Sequence, residues 1–559
     1  MGLTAIEVTG IFFFGSLVLA IGYLSKSKFA RITFEKYWKI IIVLVLTNFA
    51  LKIPYKSEFF DGLEYEDSYI YKASARAIYE GEYEFSKINA YYPTSCIYGS
   101  LKDCRMSGIF VTNFLGYPYI ISLGYRFFGY GINISNIISL IFSGISIIFV
   151  FLIALLLTDR LSFGLVCSFV YLTIPIFNVY ASTSLTEPMS NAYLPLALLL
   201  YLVYLGPEGE KKTSLFNDIL GLSAIAFTMI FSILVKTTNI SLVFCLPIAG
   251  LITLIQDKRL KNKSQRNMFL KSFLAILVVF LFSALVLRFQ AAVNVNRGDI
   301  GIYPFSFSFL KGLAPIFAES LFDFRWYLLY SAFFLVGLFY GLKNKIGVFP
   351  VIVFFFYFAL YASHYRSYYF TRGVPVAKDE AIRYMMSNVS VYTLLVGLGI
   401  YSLWQLLRRL ARSRISNYVI KSICATSAIL VLAISVSFSL KCRANFVEDE
   451  FNVRIAPVLK TLEYLGNRDD ILITSEHILF QIYGNADLKL IDFCSIDNQI
   501  PKEEVDNLIR STNVYYLETM DRGAIDEERY HEQYRYIDSK PKEHLFSGDT
   551  YRLYRLLGE

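Results

Sequence analysis

Charged residues are scarce in this chain. Asp, Glu, Lys and Arg make up 18% of its 559 residues, whereas a soluble domain carries about 25%. Hydrophobic residues reach 55%, and the mean hydropathy is +0.48. These values exclude an ordinary cytosolic protein. They also exclude intrinsic disorder, which requires low hydrophobicity and high charge.

Residues that bind metals or nucleotides are equally sparse. The four histidines are scattered, and no Cys/His spacing is typical of zinc. Among the seven cysteines, Cys96 and Cys104 share one polar segment, where a disulfide between them is left open. No Gly-rich phosphate loop follows an apolar strand, which argues against a nucleotide site.

Apolar residues are grouped into runs of membrane-spanning length. A span needs about 20 mostly apolar residues. We therefore predict a polytopic α-helical membrane protein with about 12 spans. The candidate spans are Ala5–Leu24, Ile40–Pro54, Asn133–Leu157, Ser162–Ala181, Met189–Leu205, Ile219–Val235, Ile240–Ile255, Ser272–Phe289, Trp326–Leu342, Ile346–Tyr361, Met386–Leu407 and Ser422–Leu440.

The charges of the connecting loops predict the orientation of these spans. Six alternate loops carry 21 Lys and Arg residues against six Asp and Glu residues. Basic residues accumulate on the cytoplasmic side, so we assign these loops to the cytoplasm of a plasma or cytoplasmic membrane. Both termini and the long loop 55–132 are then expected on the extracytoplasmic side.

The composition changes after the last span. Residues 441–559 carry a net charge of −8 and residues 1–440 a net charge of +16. Short apolar strands alternate with helices in the second part, which predicts a small soluble α/β domain on the outer face, following a membrane domain of residues 1–440. The strands are expected at Ile471–Thr474, Leu488–Asp492 and Val514–Glu518, and the helices at Ile455–Leu465, Glu476–Tyr483 and Glu503–Arg510. Since the positive charge belongs to cytoplasmic loops, nucleic acid is excluded as a partner.

The first outer loop concentrates acids beside the membrane, where ionisable residues often mark a site. It reads Asp61-Gly-Leu-Glu64-Tyr-Glu66-Asp67, and a helix is predicted from Asp67 to a stop at Gly81. Taken alone, Glu66 and Asp67 are most simply helix-capping residues.

Three later outer segments carry further polar groups. An aromatic, amphipathic stretch around Tyr117 suits the membrane interface. Glu187 is the single charge in its turn, and a role as a cap before Pro188 is left open. Lys236 is a lone lysine in another turn, where snorkelling to head groups is the open alternative.

Together these segments resemble the GT-C class of membrane glycosyltransferases, which includes protein O-mannosyltransferases and aminoarabinose transferases. The matching residues, in chain order, are Asp67-Ser-x-x-Tyr71, Ala75-Arg76, Glu80-Gly81, Tyr117-Pro118, Phe128-Gly129, Glu187-Pro188, Lys236-Thr237 and Arg383-Tyr384. One departure is the opening acidic pair. Many relatives have Asp-Glu there, whereas in this chain Glu66 precedes Asp67.

The resemblance implies transfer of a sugar from a polyprenyl-phosphate-linked donor to a hydroxyl acceptor of a lipid, glycan or protein in the cell envelope. It implies Asp67 as general base, Glu66 as a second acid, and Glu187 as a residue that orients Asp67 or the acceptor. The implied phosphate-binding residues are Lys236, Arg383, Lys102 and Arg105, and the implied substrate-shaping residues are Tyr71, Arg76, Tyr117 and Tyr384.

A cofactor is not required, because the phosphate leaving group is already activated. A hard-cation site formed by the acids of the first loop is left open. Simpler roles are also open for Arg76, as an i,i+4 partner of Glu80, and for Arg383, as a solvated loop charge. The alternative function is a membrane transporter or lipid flippase without transferase activity, although transporters place broken helices and polar sites near the midplane.

Overall fold

The computed structural model of the protein describes most of the helical part and parts of the C-terminal region. The described residues are 5–52, 66–81, 115–131, 133–181, 183–206, 215–256, 263–294, 307–343, 347–363, 385–411, 426–427, 429–440, 455–465, 470–474, 489–492, 502–519, 527–548 and 551–558.

Helices account for nearly all secondary structure in the described residues before 441. They are α1 (Ala5–Lys26), α2 (Lys28–Lys52), α3 (Glu66–Glu80), α4 (Gly116–Phe128), α5 (Ile134–Thr158), α6 (Leu161–Thr173), α7 (Pro175–Tyr180), α8 (Thr186–Leu205), α9 (Leu215–Val235), α10 (Ser241–Gln256), α11 (Lys263–Asn294), α12 (Phe307–Leu321), α13 (Phe324–Tyr327), α14 (Tyr330–Lys343), α15 (Val348–Ser363), α16 (Val389–Ala411) and α17 (Ile429–Leu440). Two short 3-10 helices, Thr237–Ile240 and Met386–Asn388, precede α10 and α16.

The chain forms two compact units. The helical unit comprises Met1–Lys56, Asn113–Tyr117 and Asn136–Cys442. The mixed unit comprises Ser57–Thr112, Pro118–Ser135 and Arg443–Glu559. The boundary after residue 440 stays a prediction.

Seven described helices are long and apolar enough to cross a membrane, and α14 with α15 adds an eighth if that bent pair is one span. The seven are Ile6–Lys26, Ile134–Thr158, Thr186–Leu205, Leu215–Val235, Thr237–Gln256, Arg266–Ala284 and Met386–Leu406. Two shorter apolar helices, α6 and α17, fall within further predicted spans. The total of about 12 stays a prediction.

Two predicted spans are interrupted. Within 162–181, α6 ends at Thr173 and α7 begins at Pro175, with Ile174 extended between them. Proline lacks an N–H group and disfavours helical geometry in the residue before it. Within 326–342, Leu328 has a positive φ of 54° and separates α13 from α14.

The basic segment between the first two predicted spans also differs from expectation. It was expected as a loop, but α2 begins at Lys28 and continues to Lys52 without a break. Lys and Arg are good helix formers, so their charge does not end the helix.

The helices of the helical unit are packed around α8. Of the seven candidate spans, α8 is the most enclosed, with 94% of its apolar window buried, against 22% for α1. Helices α14 and α16 cross in backbone contact: a Cβ at Gly337 would lie 1.8 Å from the carbonyl oxygen of Leu395. Glycine permits this approach because it has no side chain.

The C-terminal region forms a five-stranded sheet. Its elements are α18 (Ala456–Leu465), β1 (Ile471–Thr474), β2 (Lys489–Asp492), α19 (Lys502–Ser511), β3 (Val514–Thr519), α20 (Glu527–Asp538), β4 (Lys542–Ser547) and β5 (Tyr551–Leu556). The strand order is β2-β1-β3-β5-β4, with β1 parallel to β2 and β3, and β5 antiparallel to β3 and β4. Val505, Ile509 and Ile537 of the helices pack on Ile473 and Tyr516 of the sheet.

The three predicted strands and two of the three predicted helices are present within two residues of their expected bounds. The helix predicted at 476–483 lies outside the described residues. The hairpin β4–β5 and the helix α20 were not predicted. The location of this region on the outer face stays a prediction.

Candidate functional site

Glu187 and Lys236 form a buried ion pair in the helical unit. Lys236 Nζ lies 2.7 Å from Glu187 Oε1, and the two side chains are only 7% and 3% exposed. The residues come from the start of α8 and the turn after α9, 49 positions apart. The sequence suggested both as site residues but did not suggest that they pair.

Local geometry explains why neither residue takes its simpler role. The N-cap of α8 is Leu185, which makes no side-chain capping bond, so Glu187 lies in the first turn and its carboxylate reaches Lys236. An acid in the first turn is favoured by the helix dipole. Lys236 precedes the short helix Thr237–Ile240 and is buried instead of extending to solvent.

Asn239 ties the Lys236 turn to the surrounding helices. Its amide nitrogen donates to the carbonyl and hydroxyl oxygens of Ser232, both at 2.9 Å. Its amide oxygen accepts from Ser190 Oγ at 3.0 Å and from Tyr357 Oη at 2.8 Å. All four groups are buried, so the turn is held from α8, α9 and α15 together.

Asn191 connects the Glu187 turn to the start of α16. Its amide nitrogen donates to the backbone oxygen of Met386 at 2.6 Å and to that of Glu187 at 3.1 Å. Its amide oxygen accepts from the backbone N–H of Ser390 at 3.2 Å. Neither asparagine was among the predicted site residues. Asn191 is a polar residue within the predicted apolar span 189–205, whereas Asn239 lies in the turn beside Lys236.

Gly116 brings the start of α4 against the end of α9. A Cβ there would lie 2.8 Å from the backbone nitrogen of Val235, the residue before Lys236. The next residue, Tyr117, is fully buried, and its hydroxyl lies 2.6 Å from Ser139 Oγ of α5. The stretch expected at the interface is therefore helical, and Tyr117 is buried at its start.

The mixed unit contains the other described site residues. Helix α3 spans Glu66–Glu80 and is followed by Gly81, as predicted; Glu66 and Asp67 lie in its first turn, and their side chains lie outside the described part of the structure. Tyr71 is buried, which agrees with a packing role.

Arg76 forms the ion pair with Glu80 that its spacing favoured, with Nε 2.7 Å from Oε1. Its guanidinium also lies 4.9 Å from the ring centre of Tyr130. Burial lowers the pKa of Arg76, but hydrogen bonding and charge from Glu80 and Tyr130 outweigh burial and raise that pKa. Burial also raises the pKa of the Tyr130 phenol, against the opposing charge of Arg76.

The remaining predicted site residues, Lys102, Arg105, Arg383 and Tyr384, lie outside the described residues. So do Asp61 and Glu64 of the suggested cation site. Among the residues that the structure does describe, no three His, Cys, Asp or Glu side chains are grouped to hold a metal ion.

Solved structures with the same architecture exist. ArnT from Cupriavidus metallidurans bound to undecaprenyl phosphate matches with a TM-score of 0.56 and 11% identity, covering 92% of this chain and 98% of that chain. The archaeal oligosaccharyltransferase AglB from Archaeoglobus fulgidus, in complex with an inhibitory peptide and a dolichol-phosphate, matches with a TM-score of 0.51 and 12% identity. The match covers 94% of this chain and 75% of that chain. This chain has the GT-C fold.

The match to the GT-C fold extends over the mixed unit as well, since more than nine tenths of the chain is covered. With its long apolar helices, the chain is an integral membrane protein. No family model and no curated protein sequence matches the chain. The GT-C fold is thus recognised through structure.

Proposed function

We propose that this protein is an integral-membrane glycosyltransferase that moves a sugar from a polyprenyl-phosphate-linked donor to a hydroxyl acceptor. The observation that carries the proposal is the GT-C fold over 92% of the chain. Two proteins of that fold hold polyprenyl phosphates, undecaprenyl phosphate in ArnT and a dolichol-phosphate in AglB.

In the proposed step, the acceptor oxygen attacks the anomeric carbon of the donor sugar. The new C–O bond forms as the bond from that carbon to the phosphate oxygen breaks, and the electron pair goes to the phosphate. Asp67 takes the hydroxyl proton as general base, with Glu66 beside it. Both residues lie in the first turn of α3.

The buried ion pair supports a revised role for Glu187. We assign Glu187 to hold and orient the Lys236 ammonium, to which it lies 2.7 Å away, and no longer to orient Asp67. An ammonium has three N–H donors, so Lys236 retains capacity to contact the phosphate. Arg383, Lys102 and Arg105 are proposed as further phosphate contacts, and Tyr384 as a substrate contact beside Arg383.

The reaction is proposed on the extracytoplasmic side. The support is the concentration of Lys and Arg in six alternate loops, which favours the cytoplasm for those loops. The first loop, the start of α8 and residues 441–559 then share the opposite side. No metal is needed for the step, since Lys and Arg supply the charge that stabilises the leaving phosphate.

The test is transfer of radiolabelled sugar in membranes that contain the wild type, Asp67→Asn or Glu532→Gln. Glu532 is exposed on α20, so it controls for the loss of a carboxylate. Asp67→Asn is expected to lower the rate about 10²- to 10⁴-fold, and Glu532→Gln to leave it unchanged. Mass spectrometry of lipid co-purified with the wild type should detect a polyprenyl-phosphate sugar.

Two outcomes would contradict the proposal at different levels. A wild-type rate for a stably inserted Asp67→Asn variant would exclude Asp67 as the base. Absence of both sugar transfer and any bound polyprenyl phosphate in the wild type would count against the function itself and favour a transporter.

A further inference from the structure

Lys52 is a completely buried lysine at the C-terminal end of α2. Its ammonium donates to the amide oxygen of Asn48, one turn earlier. It also lies 5.0 Å from the ring centre of Phe177 on α7. Within the described part of the chain, no carboxylate lies at ion-pair distance from it. A charged amine in a protein interior is costly unless a charged group pairs with it.

The surroundings of Lys52 hold its ammonium in place. Asn48 donates from its amide nitrogen to Ser143 Oγ of α5 at 2.8 Å, and both residues are buried. Because the amide nitrogen is used in this way, the amide oxygen of Asn48 is directed to Lys52. A chain of hydrogen bonds therefore fixes the ammonium between α2 and α5, with α7 across from it.

Lys236 is also buried, but its neighbours differ from those of Lys52. Lys52 and Lys236 are the two buried lysines among the described residues of the helical unit. Lys236 pairs with Glu187 at 2.7 Å, so its charge is already balanced. Lys52 has an amide oxygen and a ring face as neighbours, and neither carries a formal charge.

We propose that Lys52 binds the phosphate group of the polyprenyl-phosphate donor and of the polyprenyl phosphate that leaves. The inference rests on the proposed function. When the bond from the sugar to the phosphate oxygen breaks, the phosphate keeps the electron pair and gains negative charge. The ammonium of Lys52, which has no carboxylate at ion-pair distance among the described residues, stabilises that charge. Phe177 encloses the ammonium in this structure, so phosphate binding requires its ring to move aside.

The experiment measures binding of undecaprenyl phosphate to the full-length protein in nanodiscs of zwitterionic lipid. Lys52→Gln and Lys52→Met are expected to weaken binding about 10- to 100-fold, because a charge-assisted hydrogen bond is lost. Lys271→Gln is the matched control. Lys271 pairs with Asp218 and is 46% exposed, and this variant should bind like the wild type.

Two further ligands distinguish a site for the phosphate of a lipid from a site for free phosphate. Undecaprenol, which lacks the phosphate, should bind weakly and equally to the wild type and Lys52→Gln. Inorganic phosphate should compete poorly, since it lacks the lipid chain. Strong competition by inorganic phosphate would show a free-phosphate site and overturn the assignment to the lipid donor.

The outcomes distinguish this inference from the proposed function. If the wild type binds undecaprenyl phosphate and both Lys52 variants bind equally well, the inference fails while the function stands. If the wild type does not bind it, the donor class fails as well. Should both variants be unfolded, a photoreactive undecaprenyl phosphate applied to the wild type decides: labelling that spares the peptides containing Lys52 and Phe177 overturns the inference.

Discussion

Lys236 and Glu187 meet at 2.7 Å in the interior of the helical unit, from segments 49 residues apart. A buried ion pair is costly to break, because loss of one partner leaves the other charged and unpaired. Glu187 lies in the first turn of α8, the most enclosed of the seven candidate spans.

Replacing one member of this pair should destabilise the protein strongly. For Glu187→Gln we expect a loss of about 3–5 kcal/mol in the free energy of unfolding. The double variant Glu187→Gln/Lys236→Met should recover much of that loss, because no unpaired charge remains. Denaturant unfolding of the purified protein measures both. Glu80→Gln, in the more exposed pair with Arg76, should cost about 0.5 kcal/mol. Equal losses for Glu187→Gln and Glu80→Gln would contradict the buried pair.

Asn191 should contribute to stability through its bonds to the start of α16. Asn191→Ala leaves the Met386 oxygen and the Ser390 N–H without this partner, and buried unsatisfied groups cost about 1–3 kcal/mol. Thermal unfolding measures the loss. Asn507→Ala, at an exposed helix position, is the control and should stay within about 0.5 kcal/mol. If both variants unfold at the same temperature as the wild type, the hydrogen bonds of Asn191 do not connect α8 to α16.

Gly337 should not tolerate a methyl group. A Cβ there would lie 1.8 Å from a backbone oxygen, which side-chain motion cannot relieve, so Gly337→Ala should cost about 3 kcal/mol or more. Gly22→Ala is the matched control, since its Cβ would meet only Leu220 Cδ1 at 3.9 Å. Size-exclusion chromatography of both variants is the measurement. A monodisperse Gly337→Ala protein would rule out the close crossing of α14 and α16.

Asp506 should make the stability of the C-terminal sheet depend on acidity. Burial raises the pKa of this carboxyl, but hydrogen bonds from Lys540 and Tyr536, with the charges of Lys540 and Arg510, outweigh burial and lower that pKa below 3.8. A lowered pKa in the folded state gives stability that is present above the unfolded value and is lost as the pH falls through the folded one.

The corresponding measurement is amide hydrogen exchange in α19 and β3 of the full-length protein, from neutral pH to below pH 3.8, with rates corrected for intrinsic pH dependence. The wild type should be better protected than Asp506→Asn at neutral pH, and the difference should vanish in acid. Asp538→Asn, which removes an exposed ion pair with Lys542, should have little effect. A difference between the wild type and Asp506→Asn that persists in acid would exclude ionisation as its cause.

Local patterns predicted much of the fold. The helix from Asp67 to Gly81 was predicted because Gly81, the residue that ends it, lies within the segment itself. The strands at 471–474 and 514–518 were predicted because short apolar runs bounded by polar residues suit buried strands, and the structure has them at 471–474 and 514–519. The break at Pro175 was overlooked because mean hydropathy does not register a lost N–H group.

The site was predicted less well. Glu187 and Lys236 were chosen because a charge at a membrane edge stands out in an apolar sequence, and Arg76 because it belongs to the first-loop motif of the resemblance. Their contacts were only partly predicted: the Arg76–Glu80 pair follows from helical spacing, whereas the Lys236–Glu187 pair joins two separate turns.

The sequence by itself determined the membrane character, the apolar nature of the helices and the acidic C-terminal region, because hydropathy and charge are properties of contiguous residues. Tertiary structure alone decided that Glu187 neutralises Lys236, that Asn191 reaches α16, and that Lys52 is enclosed without a described carboxylate. Those relationships depend on which helices pack together. Many arrangements of apolar spans bury similar surface, so the order of residues along the chain does not specify them.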